Sequence, residues 1–162
     1  MTVFLTNIDL LKAAQKYNIP LRSVFSKDQP PDLSADGGYI VNLENSKSSS
    51  GARLPGSHWT AFWIERGNAV YFDSFGFPPS SNTQFILRKF VPYRYNKIQI
   101  QSVNSGICGY YALFFIWWMN HFRESIPNIN TRFDKFIMLF NQKQPSKNRQ
   151  ILENLLEKYI RT

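Results

Sequence analysis

One cysteine and two histidines are all the thiol and imidazole groups in this 162-residue chain. A single thiol excludes an internal disulfide framework, and with two imidazoles it is too little for a Cys-based zinc site. Nothing here exploits an oxidising environment, so a reducing compartment is expected. No apolar run reaches membrane length either. The stretch from Ile107 to Met119 falls short of the roughly 20 residues a span needs, and Asn120 and His121 close it. A fully buried core helix is the better reading, with no membrane partner. The opening MTVFLTNIDLLKAAQ lacks a basic leader and carries Asp9 within its apolar stretch, which speaks against a signal peptide and secretion. No internal repeat is seen.

Acidic side chains are scarce: 11 Asp and Glu face 19 Lys and Arg, a formal net charge of +8. The imbalance is local. Residues 1–87 hold seven basic and seven acidic side chains, whereas residues 88–162 hold twelve and four. A solvated face explains this as well as a surface for DNA or another polyanion does. Hydrophobic residues make up 43% and aromatics 16%, which predicts one packed domain over residues 1–162.

Residues 7–17 place Ile8, Leu11, Ala14 and Tyr17 on one helical stripe, with Thr6 or Asn7 as N-cap. Residues 26–38 are turn material, 39–43 read as a short strand, and 44–57 as a long loop. The aromatic, β-branched runs HWTAFWI (58–64) and AVYFDSF (69–75) flank ERGN and predict a hairpin. KIQIQ at 97–101 reads as a further strand. Helices are expected at 107–122, at 132–141 with Phe133, Phe136, Ile137 and Phe140 on one side, and at 147–160. Helices around a central group of strands make the class α+β.

Cys108 lies between a polar run, QSVNSGI, and the buried helix. Alone it fits a small core hydrophobe as well as a nucleophile. Asn104 or Ser105 as N-cap would set the sulfur in the first helical turn, where free N–H groups and the macrodipole favour a thiolate. Gly106 and Gly109 would keep the backbone around it open. A nucleophile needs a base. His121 is thirteen residues on along the same helix, about 20 Å away, which leaves His58. A two-residue turn at Arg66-Gly67 or Gly67-Asn68 puts His58 opposite Phe75 or Phe77, with Asp73 on the same side of the hairpin. In the first register Asp73 is the diagonal neighbour of His58, within side-chain reach. It would fix the imidazole tautomer, unless both groups merely sit at the sheet rim. Gln101, seven residues before Cys108, is placed to join its backbone N–H as an oxyanion donor, with Gln99 as a rival.

The order His58, Asp73, Gln101, Cys108, carried by GSHWTAF, VYFDSFGF and QSVNSGICGYYALFF, resembles the adenovirus-type maturation cysteine proteases, including those of virophages and polinton-like elements. More remotely it resembles the SUMO-deconjugating proteases. KNRQILENLLEKYI is similar to the family's C-terminal segment. The resemblance spans most of residues 56–160 and implies a mixed sheet flanked by helices, with the nucleophile at the start of a buried helix. It assigns His58 as base, Asp73 as orienting acid, Cys108 as nucleophile and Gln101 as oxyanion donor. Trp59 would help enclose a narrow groove accepting glycine, where core packing is the alternative. The adenovirus enzymes usually carry Glu at the position of Asp73; the deconjugating enzymes use Asp.

The implied activity is a cysteine endopeptidase cutting viral precursor and capsid proteins at Gly-containing sites, in the virion and host-cell interior. It implies no required cofactor. A second cysteine tethers the adenovirus activating peptide, and this chain has none, which leaves DNA or a non-covalent peptide as activators. Removal of a ubiquitin-like modifier, or a catalytically silent basic binding module, are the rival functions.

Overall fold

The computed structural model describes residues 4–53 and 57–161. Gly56 of the GSHWTAF motif and part of the 44–57 loop therefore lie outside the described residues. The elements run α1 (Asn7–Lys16), β1 (Leu21–Ser26), β2 (Gly37–Asn42), β3 (Trp59–Glu65), β4 (Asn68–Phe72), α2 (Ser81–Leu87), β5 (Arg94–Tyr95), α3 (Cys108–His121), α4 (Ile129–Ile137) and α5 (Asn148–Tyr159). The five strands form one sheet in sequence order. β1 is parallel to β2 and β4 to β5, while β2–β3 and β3–β4 are antiparallel. This is an α+β fold on a mixed sheet.

Both sheet faces are covered, so β2 and β3 are buried along their whole length. Alternation along the strands sorts the side chains. Ile40, Ala61, Trp63, Val70 and Phe72 join the core made with α1, α3, α4 and α5. Tyr39, Val41, Phe62, Ile64 and Tyr71 pack on the other side against Phe25, Leu33, Ile86, Leu87 and Phe90. α3 is enclosed almost all round, from Cys108 to Met119. No helix among the described residues is long and apolar enough to cross a membrane.

Several expectations need correction. In α1 the buried residues are Leu10 and Ala14, while Ile8 and Leu11 are exposed. Leu10 is drawn inward because it packs with Leu5 at Gly109 of α3, where a Cβ would stand 3.1 Å from both side chains. Gly109 is thus a close-packing site, not an open one. Residues 97–101 are no strand: the N–H groups of Ile100 and Gln101 both donate to the Ser74 carbonyl, each at 2.9 Å, which leaves no regular ladder. The fifth strand is the short Arg94–Tyr95. β1 and α2 lie in stretches to which the sequence assigned no element. Finally, α3 starts after Ile107 with no side-chain cap, so neither Asn104 nor Ser105 caps it.

Candidate active site

The hairpin sets the geometry. Arg66 and Gly67 have φ of 49° and 79°, the left-handed pair of a type I′ turn, and Glu65 pairs with Asn68. Continued past the last paired residues, this register puts His58 across from Phe75 and diagonal to Asp73. The ring of His58 stacks on Phe75 with centroids 4.5 Å apart, and its Nε2 lies 2.8 Å from Asp73 Oδ1.

Asp73 is 1% exposed and held from several directions. Its Oδ1 also accepts the Phe75 N–H at 2.8 Å. Asn96, buried on the neighbouring segment, grips the Asp73 main chain on both sides: its Oδ1 accepts the Asp73 N–H at 3.0 Å and its Nδ2 donates to the Asp73 carbonyl at 2.5 Å. An amide side chain thus replaces the strand partner that β4 lacks beyond Phe72. Gly76 completes this corner. Its φ is +74°, and a Cβ there would come within 2.7 Å of the Ile98 backbone.

With Nε2 directed at a carboxylate, Nε2 carries a proton in either charge state of the ring, and Nδ1 is the nitrogen that gains or loses one. Nδ1 is buried without a formed hydrogen bond, yet the Cys108 sulfur is near enough to act on the ring electrostatically. Burial alone would lower the His58 pKa. The hydrogen bond to Asp73, together with Cys108, outweighs it and raises the value from 6.5 to about 9. The sulfur also accepts the Trp59 backbone N–H at 3.4 Å. His121 is far from this group, at the other end of α3, stacked on Trp117.

Gln101 is 1% exposed. Ser74 Oγ donates to its Oε1 at 2.5 Å, and its Nε2 donates to Ser105 Oγ at 2.8 Å. Ser74 therefore fixes which way the amide points. Nε2 carries two hydrogens, and the second has no acceptor among the described residues. Gln99 is exposed and spends its own amide on the Gln101 carbonyl at 2.8 Å, so it supports Gln101 rather than competing with it. The Trp59 indole is 5% exposed and donates to the Leu5 carbonyl at 2.7 Å. Its ring is core first, and it reaches the surface only as one wall of a cleft beside the sheet end.

The structure thus brings His58, Asp73 and Cys108 together and sets Gln101 on the loop leading to Cys108. Sequence reasoning missed Asn96, Phe75 and Ser74 as positioning groups. Only Phe75 had a legible signal, as the expected cross-strand partner of His58. No group of three or more His, Cys, Asp or Glu among the described residues is arranged to hold a metal ion.

No protein-family model and no curated protein sequence matches the chain. Among solved structures it is similar to the ASFV pS273R protease, with 18% identity over 76% of this chain and 44% of that one, at a TM-score of 0.40. It is also similar to AvrA, solved with IP6 and CoA, with 16% identity over 91% of this chain and 66% of that one, at a TM-score of 0.44. The chain therefore spans less than two thirds of the length of both.

Proposed function

We propose that this protein is a cysteine endopeptidase with Cys108 as nucleophile, His58 as general base and acid, and Asp73 as the carboxylate that holds the imidazole. The observation that carries this reading is the polarity of His58: one ring nitrogen is committed to a buried carboxylate at 2.8 Å, and the other is unpartnered beside the thiol. A histidine that merely filled space would not leave a buried ring nitrogen without a hydrogen-bond partner next to the chain's only thiol.

The steps follow from those atoms. His58 Nδ1 takes the Cys108 proton, and the resulting imidazolium is stabilised through Nε2–H by Asp73. The sulfur attacks the scissile carbonyl, a C–S bond forms, and the oxyanion is held by the Cys108 N–H and the Gln101 Nε2. The uncapped start of α3 suits this, because no side chain competes for its first N–H groups. Collapse breaks the C–N bond as Nδ1–H protonates the departing amine. Water, deprotonated by Nδ1, then hydrolyses the thioester and restores the thiol.

The motif resemblance supports viral precursor and capsid proteins as substrates, cut at small Gly-containing sites within the virion and host cell. Cys108→Ala should abolish turnover while leaving the melting temperature within a few degrees of the parent. Retained cleavage by a clean preparation of that variant would refute the assignment. A fluorogenic ubiquitin-like modifier, run beside a Gly-Gly capsid-type peptide, separates precursor processing from deconjugation. DNA that raises turnover, with binding that falls steeply with salt, would identify it as an activator acting through the basic C-terminal half.

A further inference from the structure

We infer that a cleft beside the nucleophile, about 640 Å³ and lined by α1, the ends of β1 and β2, and the 44–53 loop, recognises an acidic side chain of the substrate. The inference rests on the endopeptidase reading and adds a substrate class to it. Ser26, Asn42 and Trp59 form one row across three strands, since Ser26 pairs with Asn42 and Asn42 with Trp59. All three line the cleft, which therefore begins at the residue whose N–H bonds the Cys108 sulfur.

Its lining carries two cations, Lys47 and Arg53, and no carboxylate. These two residues face each other as an isolated antiparallel bridge, in a turn closed by the Ser48 N–H to the Ala52 carbonyl at 2.8 Å. Like charges directly opposite on paired backbone repel unless an anion lies between them. Asp28, whose carboxylate oxygens accept the Ser46 N–H and hydroxyl at 2.9 and 2.8 Å, forms no ion pair with either cation among the described residues. A second observation points the same way. Asn42 is 1% exposed, its Oδ1 accepts the Glu44 N–H at 2.7 Å, and its Nδ2 has no partner. The cleft thus combines two paired cations with an unsatisfied buried donor, and what satisfies both is a carboxylate.

Strands lie about 4.8 Å apart, so the row from Trp59 to Ser26 spans roughly 10 Å of the cleft. An extended peptide covers that in about three residues. The favoured substrate therefore carries Asp or Glu about three residues from the scissile bond.

The test uses the Cys108→Ala protein and fluorescein-labelled nonapeptides centred on Gly-Gly, with Asp or Glu, or their amides, three residues to either side. Anisotropy should show one acidic peptide binding about tenfold tighter than its amide twin. Lys47→Glu with Arg53→Glu, both at exposed positions, should reverse that preference. Equal affinities, no binding of either peptide, or a preference that survives the double substitution would overturn the inference. Hydrolysis of the same peptides by the parent enzyme is scored separately. Cleavage without acid preference keeps the endopeptidase and discards the cleft; acid-selective binding without cleavage does the reverse.

Discussion

Replacing Asp73 with asparagine isolates charge from geometry at this site. Oδ1 of Asp73 serves both the Phe75 N–H and His58 Nε2, each at 2.8 Å. An asparagine keeps its oxygen there, because turning the amide would set two donors against each other. The Nε2–H tautomer is then retained, and what disappears is the negative charge. The net rise of His58 from 6.5 to about 9 corresponds, at about 1.4 kcal/mol per pH unit, to roughly 3 kcal/mol of imidazolium stabilisation, to which Asp73 and Cys108 both contribute against burial. Losing the Asp73 charge should lower kcat/KM by about 10²-fold, less than the roughly 10⁴-fold expected when such an exchange also forces the wrong tautomer. The assay is hydrolysis of a fluorogenic Gly-containing peptide across pH 5 to 10. In Asp73→Asn the alkaline limb, which reports loss of the His58 proton, should move down from about 9. Circular dichroism and a melt check the fold. A folded variant with parental rate and an unmoved alkaline limb would refute this account of Asp73.

Gln101→Ala should lower kcat by about 10²- to 10³-fold with little change in KM, as expected for a donor used only in the transition state, and steady-state kinetics will separate the two constants. The His58 pKa is raised on folding, so its contribution to stability is complete below about 6.5 and is lost as pH rises through about 9. Melting temperatures should therefore fall over that window in the parent and fall less in His58→Gln. Arg132, 0% exposed, is paired with Glu65. Glu65→Ala strands that guanidinium in the core and should cost about 3–5 kcal/mol in chemical denaturation, whereas a loss below 1 kcal/mol would show that Arg132 finds another partner.

What the sequence made legible was mostly periodic or local. The aromatic hairpin could be read because strand alternation and a two-residue turn fix register arithmetically, and one of the two registers considered put Asp73 diagonal to His58. The buried α3 followed from its unbroken apolar run. The failures lie where distant residues decide. Lys97–Gln101 alternates like a strand, but Asn96 and Ser74 capture the hydrogen-bonding groups of this region. Which face of α1 turns inward depends on Leu5 and Gly109, not on the helix's own spacing. Asn96 could not have been found: its bonds reach 23 residues back along the chain, to main-chain atoms that any residue offers.

The first described residues are stitched to the candidate active site. The Phe4 N–H donates to the Gly106 carbonyl at 3.0 Å, and the Leu5 carbonyl receives the Trp59 indole. Phe4 therefore lies within hydrogen-bonding distance of the loop that presents the sulfur. A change at Phe4 or Leu5 can leave the melting curve untouched and still alter turnover.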